Sequence, residues 1–268
     1  MTTFARDAVR LNTLYAPRAF LAMGRAAGAA ALFTAITLAH AILRSMADDA
    51  SPNEPYNTSR LEIGVFRALP SEWMQDVLGT TGVAPDIAFL VWRTLFGLPV
   101  LLAAMVCVVW GWRALFGLLA VLAALLLTAD CFYFILPTRP PWMDADVARI
   151  IAMQQTNGTH LDNNELAALP SLHIAVVVSF GCWFWGLGRP GARWIARAHM
   201  VWALAMAWAL VYSGEHYAID TVIGAAQAVV VFVAVRSIGL AYPPSLSAAI
   251  AALERDGRET RDLDSLAA

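Results

Sequence analysis

Six stretches of the chain are strongly apolar and nearly free of charge: residues 24–43, 89–110, 114–136, 171–188, 197–213 and 217–240. Each comes close to the roughly 20 mostly apolar residues that a helix needs to cross a bilayer. The pattern therefore predicts an all-α, polytopic membrane protein with six transmembrane helices. A membrane domain over 24–241 follows a basic segment, 1–23, and precedes a tail, 242–268, that turns Ala-rich and then charged after Pro243-Pro244. Between the first two spans, "SEWMQDVLG" (71–79) sets Trp73, Met74, Val77 and Leu78 on one helical stripe behind a capping Ser71. That reads either as a short helix lying on the outer leaflet or as a loop packed on the bundle.

Composition sharpens this picture. Of 268 residues, 59% are hydrophobic and 14% charged, with ten Trp to settle at membrane interfaces. The formal net charge is −2 and no basic block offers a nucleic-acid footprint. Cys107, Cys131 and Cys182 each lie inside an apolar run, which argues against a disulfide framework. The "AHA" at the end of span one resembles a signal-peptidase site, but its apolar run is generous, and we read the span as retained.

Every basic residue is Arg, and their distribution orients the spans. Arg6, Arg10, Arg18 and Arg25 precede span one, Arg113 separates spans two and three, Arg189, Arg193 and Arg197 fill the link between four and five, and Arg255, Arg258 and Arg261 follow six. These segments alternate and are assigned to the cytoplasm together with both termini. The acid-rich 45–86 and the connections 137–170 and 214–216 face the other side of a cell membrane.

This path gathers the polar residues at one face. Span three ends at "FILPTRPPW" with Arg139, span four begins there with Ser171 and His173, and span five returns "YSGEHYAID" with Glu215, His216 and Asp220. His216 and Asp220, four apart, are expected on one helix face, where the imidazole would compensate a costly intramembrane carboxylate. Two His, an Asp, an Arg and a Ser at one depth suit phosphoryl transfer. Arg139 would grip phosphate oxygens, one His would attack phosphorus, and the other would protonate the leaving oxygen. Ser171 and the N–H groups from Leu172 onward, at the start of span four, would hold the anion. Glu215 is a candidate proton acceptor for an incoming alcohol or water, or a solvated acid. Arg93 and Asp130, at matched depth in spans two and three, are expected to pair, or else Arg93 turns to the phosphate.

At these residues the chain resembles the type 2 phosphatidic acid phosphatase superfamily, whose three motifs are K-x6-R-P, P-S-G-H and S-R-x5-H-x3-D. "TRPPW" supplies Arg139 and Pro140, "PSLH" supplies Pro170, Ser171 and His173, and "HYAID" supplies His216 and Asp220. The resemblance covers about 85–240. It implies six membrane helices with an extracytoplasmic site, His216 as nucleophile, Asp220 as its partner, His173 as general acid, and Arg139 and Ser171 on the phosphate.

The departures are specific: Phe132 stands at the first-motif Lys, Leu172 at the second-motif Gly, and Ala209-Leu210 at the third-motif Ser-Arg. Two family cations are thus absent, which weakens a dianionic monoester more than a monoanionic diester. Motif style is similar to the inositol phosphorylceramide synthase branch. The implied activity is transfer of a phospho-headgroup or phosphoryl group between membrane lipids acting as donor and acceptor, with no metal or cofactor. A lipid-phosphate or polyprenyl-diphosphate phosphatase is the alternative. A haem-binding or transport protein using His173 and His216 is a third reading, which leaves Arg139 and the Pro-Ser context unexplained.

Overall fold

The computed structural model describes residues 3–50, 53–154 and 164–243, with side chains in the first helix from 19 to 47. The tail from 244 onward lies outside the described residues. Among the described residues the helices follow in chain order: α1 (Thr3–Ala50), α2 (Ser59–Phe66), α3 (Pro70–Leu78), α4 (Val83–Trp110), α5 (Trp112–Ile135), α6 (Pro141–Asp144), α7 (Ile150–Gln154), α8 (Leu172–Gly186), α9 (Pro190–Tyr212) and α10 (Ala218–Ser237). Two short strands, β1 (Tyr56–Asn57) and β2 (Thr138–Arg139), pair in parallel and depart from an all-helical chain.

Among the described residues, five helices are long and apolar enough to cross a membrane: Ala19–Ala47 within α1, then α4, α5, α9 and α10. The expected sixth span is the 15-residue α8, about 22 Å long at 1.5 Å per residue and shorter than a bilayer core of about 30 Å. Its length has a physical reason. Residues Ile174 to Gly181 are all buried, because α9, α10 and α5 surround the helix, so its length is not set by lipid. The chain's largest buried side chains include Trp183, Phe180 and Phe184 of α8.

The basic N-terminal segment is not a separate element, since α1 runs unbroken from Thr3. Its apolar part packs on α4 and α5 through Ala29 and Phe33. At the opposite end from the motifs, Tyr242 donates to the Trp183 carbonyl and Trp183 Nε1 donates to Ala241 O at 3.1 Å, so the packed unit extends to Tyr242.

Between the first two of the long apolar helices the chain does form a helix, α3, with Trp73 and Val77 exposed. Its start differs from expectation: Pro70 is the first helical residue, and Ser71 is buried inside the helix and not its cap. Gln75 is the anchor. It donates to Tyr212 O and Ala148 O at 2.9 Å and accepts from Ala148 N–H at 2.9 Å, tying α3 to α9 and to the loop before α7.

Candidate active site

Three connecting segments are laced together beside the start of α8. Tyr56 N–H donates to Pro137 O (2.7 Å), Thr138 N–H to Leu166 O (2.6 Å) and Ala168 N–H to Thr138 O (3.3 Å). This lacing fixes Ala168, and Ala168 matters because its carbonyl accepts a hydrogen bond from Nδ1 of His216 at 2.8 Å.

His216 is buried in the short link between α9 and α10. The link folds back through Gly214, whose φ of 76° and crowding by Val147 and the Ala148 carbonyl leave no room for a Cβ. Ile150 N–H to Ser213 O (3.1 Å) and Trp142 N–H to Gly214 O (3.3 Å) dock the 140–150 segment on it. His216 and Asp220 therefore do not share a helix, because α10 begins only at Ala218. Asp220 Oδ2 lies 3.9 Å from His216 Nδ1, beyond hydrogen-bond reach, and instead accepts the Tyr217 N–H at 2.9 Å.

The start of α10 holds a second acid that sequence reasoning missed. Glu62 of α2 is fully buried and accepts from the N–H groups of Ala218 (3.1 Å) and Ile219 (3.0 Å). Such orphan donors at a helix start favour a carboxylate. Burial pushes the Glu62 carboxyl above its ordinary value, the two backbone bonds oppose this, and the nearby Asp220 charge adds to the rise.

His173 sits in the first turn of α8, and its ring centroid is 5.6 Å from that of His216 in an edge-on arrangement. Ser171 N–H donates to Asp220 O at 3.1 Å, so the first turn of α8 rests on the first turn of α10. The N–H groups of Leu172, His173 and Ile174 precede the first helical bond, Ala175 N–H to Ser171 O at 3.0 Å.

Both rings face a cavity of about 460 Å³. Leu172, Glu215, Arg149 and Arg44 also line it, whereas Arg139 and Ser171 do not. Arg139 is exposed and its Nη1 lies 3.2 Å from Asp144 Oδ1. Ser171 is fully buried behind the helix start. Phe132, at the family's Lys position, is exposed on α5.

The cavity's cations come from elsewhere. Arg149 Nε donates to Glu215 Oε1 (2.9 Å), its Nη1 donates to Glu165 Oε1 (2.8 Å), and its guanidinium stacks 4.3 Å from the Trp142 ring centroid. Arg44 of α1 donates to Asn164 O at 2.9 Å. Glu215 is therefore an ion-pair partner and not a solvated acid. Arg149 lies in a connection without periodicity, and Arg44 stands at the end of an apolar run outside the family motifs, so neither stands out in the sequence.

The expected Arg93–Asp130 pair is not formed. Arg93 is exposed, with its guanidinium 6.0 Å from the Phe89 ring, and it does not line the cavity. Asp130 is buried, and its Oδ1 lies 2.8 Å from Nδ1 of His40. The physical reason is the packing of α1 against α5, which brings a nearer partner to the acid. Among the described residues, no three His, Cys, Asp or Glu converge as metal ligands would.

A family model described as the PAP2 superfamily matches residues 69–234, more than half of the chain. No curated protein and no solved structure matches it. The matched region holds the motif residues from Arg139 to Asp220 and leaves out α1, with its Arg44 and His40. The chain belongs to the PAP2 superfamily, whose members are phosphatases or phosphotransferases.

Proposed function

We propose that the protein is a membrane lipid phosphotransferase working through a phosphohistidine at the extracytoplasmic face, in the manner of the inositol phosphorylceramide synthase branch. The observation that carries this reading is the His173–His216 pair, 5.6 Å between rings, in the wall of a cavity that passes from charged to apolar lining. Such a cavity suits an amphiphile whose phosphate lies at the charged end and whose chains lie at the other.

With Nδ1–H of His216 held by Ala168, the lone pair is on Nε2. Nε2 attacks the donor phosphorus, the bond from phosphorus to the leaving oxygen breaks, and protonated His173 gives that oxygen its proton. The acceptor hydroxyl then attacks phosphorus, the P–N bond breaks, and the acceptor proton goes to His173. Arg149, Arg44 and the first-turn N–H groups of α8 offset the phosphate charge. Two arginines, one already shared with Glu215 and Glu165, suit a monoanionic diester donor better than a dianionic monoester.

The test is protein in nanodiscs given phosphatidylinositol or phosphatidic acid labelled at phosphorus, with and without a lipid alcohol. The expected result is an acid-labile protein label, absent in His216→Ala, that passes to the alcohol. Equal label in His216→Ala would overturn the mechanism, and release only to water would make the protein a phosphatase.

A further inference from the structure

The cavity is lined along one side by α1, which contributes Thr34, Thr37, His40 and Arg44. Their spacings of three, three and four place them on one face of the helix, over a rise of about 15 Å from Thr34 to Arg44. This is a polar stripe inside an apolar span of 29 residues. A span facing only hydrocarbon has no use for such a stripe, since each polar group costs free energy unless something hydrogen-bonds to it.

The stripe is ordered from top to bottom. Arg44 lies at the charged end, held to Asn164 O and 5.9 Å from the Tyr133 ring centroid. Tyr133 in turn donates to Pro170 O, next to the start of α8, at 3.2 Å. His40 is one turn deeper than Arg44 and lines the cavity, its Nδ1 lying 2.8 Å from the buried Asp130 carboxylate without hydrogen-bond geometry. Thr37 donates to Phe33 O and Thr34 O at 3.1 Å, which leaves its oxygen lone pairs as acceptors. Across the lane, Pro99 of α4 has no N–H for the Leu95 carbonyl, and both residues line the cavity. The remaining wall there is apolar: Phe96, Val100, Leu122 and Leu126.

We infer that the α1 stripe is a subsite for the part of a lipid just below its phosphate, binding ester, amide or hydroxyl groups within about 15 Å of it. The apolar wall takes the chains. The protein then selects lipids with hydrogen-bonding groups in that zone over polyprenyl phosphates, whose chains are hydrocarbon from the phosphate down. The inference rests on the lipid-phosphotransfer reading of the same cavity.

The test compares two ligands with the same phosphate monoester, dioleoyl phosphatidic acid and decaprenyl monophosphate. Their binding to the intact chain carrying His216→Ala, which blocks turnover, is measured in nanodiscs. Phosphatidic acid is expected to bind more tightly. Adding His40→Ala, or the nearly isosteric Thr37→Val, should weaken phosphatidic acid about three- to tenfold, the net worth of one hydrogen bond, and leave decaprenyl phosphate unchanged. Thr37→Val keeps the helix packing, so the test survives a poorly folded His40 variant. Equal loss for both ligands, or loss for neither, removes the subsite while leaving the phosphotransfer reading intact. Failure of both ligands, and of the diester phosphatidylinositol, to bind the parent protein overturns that reading and the subsite with it.

Discussion

Nδ1 of His216 lies 2.8 Å from the carbonyl oxygen of Ala168, while the nearer carboxylate oxygen of Asp220 stands 3.9 Å away. A backbone carbonyl therefore sets the imidazole's tautomer. It accepts the proton's hydrogen bond and cannot take the proton, so Nε2 stays a lone-pair donor whatever the state of the acid. Asp220 is left with two other tasks: it accepts the Tyr217 N–H, and, in the mechanism proposed above, it places negative charge near a ring that would become cationic on phosphorylation.

Asp220→Asn is accordingly expected to form phosphoenzyme more slowly, by about ten- to a hundredfold, or about 1.4–2.7 kcal/mol. In Ser-His-Asp triads the corresponding change costs about 10⁴ because the imidazole adopts the wrong tautomer. Here the Ala168 carbonyl prevents that. Rapid-quench labelling of the purified variant measures the rate, and a 10⁴-fold loss would return the orienting role to Asp220.

The spans were legible because lipid imposes length and apolarity on any helix that meets it, and α4, α5, α9 and α10 obey. α8 escaped that rule because its neighbours are protein. The four-residue spacing of His216 and Asp220 misled for a related reason. Periodicity does not say where a helix starts, and the two carboxylates of Glu62 and Asp220 satisfy the N–H groups that fix the start of α10. Asp130 was correctly singled out as an acid needing a partner, but depth alone could not choose between Arg93 and His40. That choice depends on which helices touch. Arg149 was unreadable because its position follows from hydrogen bonds between loops far apart in the chain.

Glu62 gives folding a pH dependence of definite sign. Burial raises its carboxyl above the ordinary 4.5, so the folded protein holds this proton more tightly than the unfolded chain. Its contribution is present in full below 4.5 and is lost as pH rises through the higher folded value, beyond which the slope ends. Thermal unfolding of wild type and Glu62→Gln in nanodiscs, from pH 4 upward, is expected to show that component in wild type alone. An identical slope in both would place the titration elsewhere.

Arg149 joins Glu215 to the cavity, and the two should differ on substitution. Arg149→Lys keeps the charge but loses the fork that grips two carboxylates and the stack on Trp142, so kcat/KM should fall about a hundredfold. Glu215→Gln keeps an acceptor for Arg149 Nε and should cost under about tenfold, slowing formation and breakdown of the phosphoenzyme alike. Single-turnover measurements separate the two steps. Slowed breakdown alone in Glu215→Gln would make that acid the base for the acceptor.

The distance between the two histidines depends on a helix crossing with no slack. Gly224 lies four residues after Asp220 on α10, and a Cβ there would collide with the Ser171 carbonyl at the mouth of α8. The Ser171 N–H bond to Asp220 O is made at the same crossing. Gly224→Ala must therefore push the first turn of α8, with His173, away from α10 and the link that carries His216. Overpacking of this kind typically costs about 1–3 kcal/mol. The catalytic loss should be larger, since misplacing a reacting group by about 1 Å can cost about a hundredfold. Gly97→Ala, also within a membrane helix but with open space around the new methyl, is the control and should keep activity within about twofold. Melting temperature and phosphoenzyme rate, measured on both variants, separate the effects. A Gly224→Ala protein that loses stability but keeps the wild-type rate would mean that the spacing of His173 and His216 does not limit the chemistry.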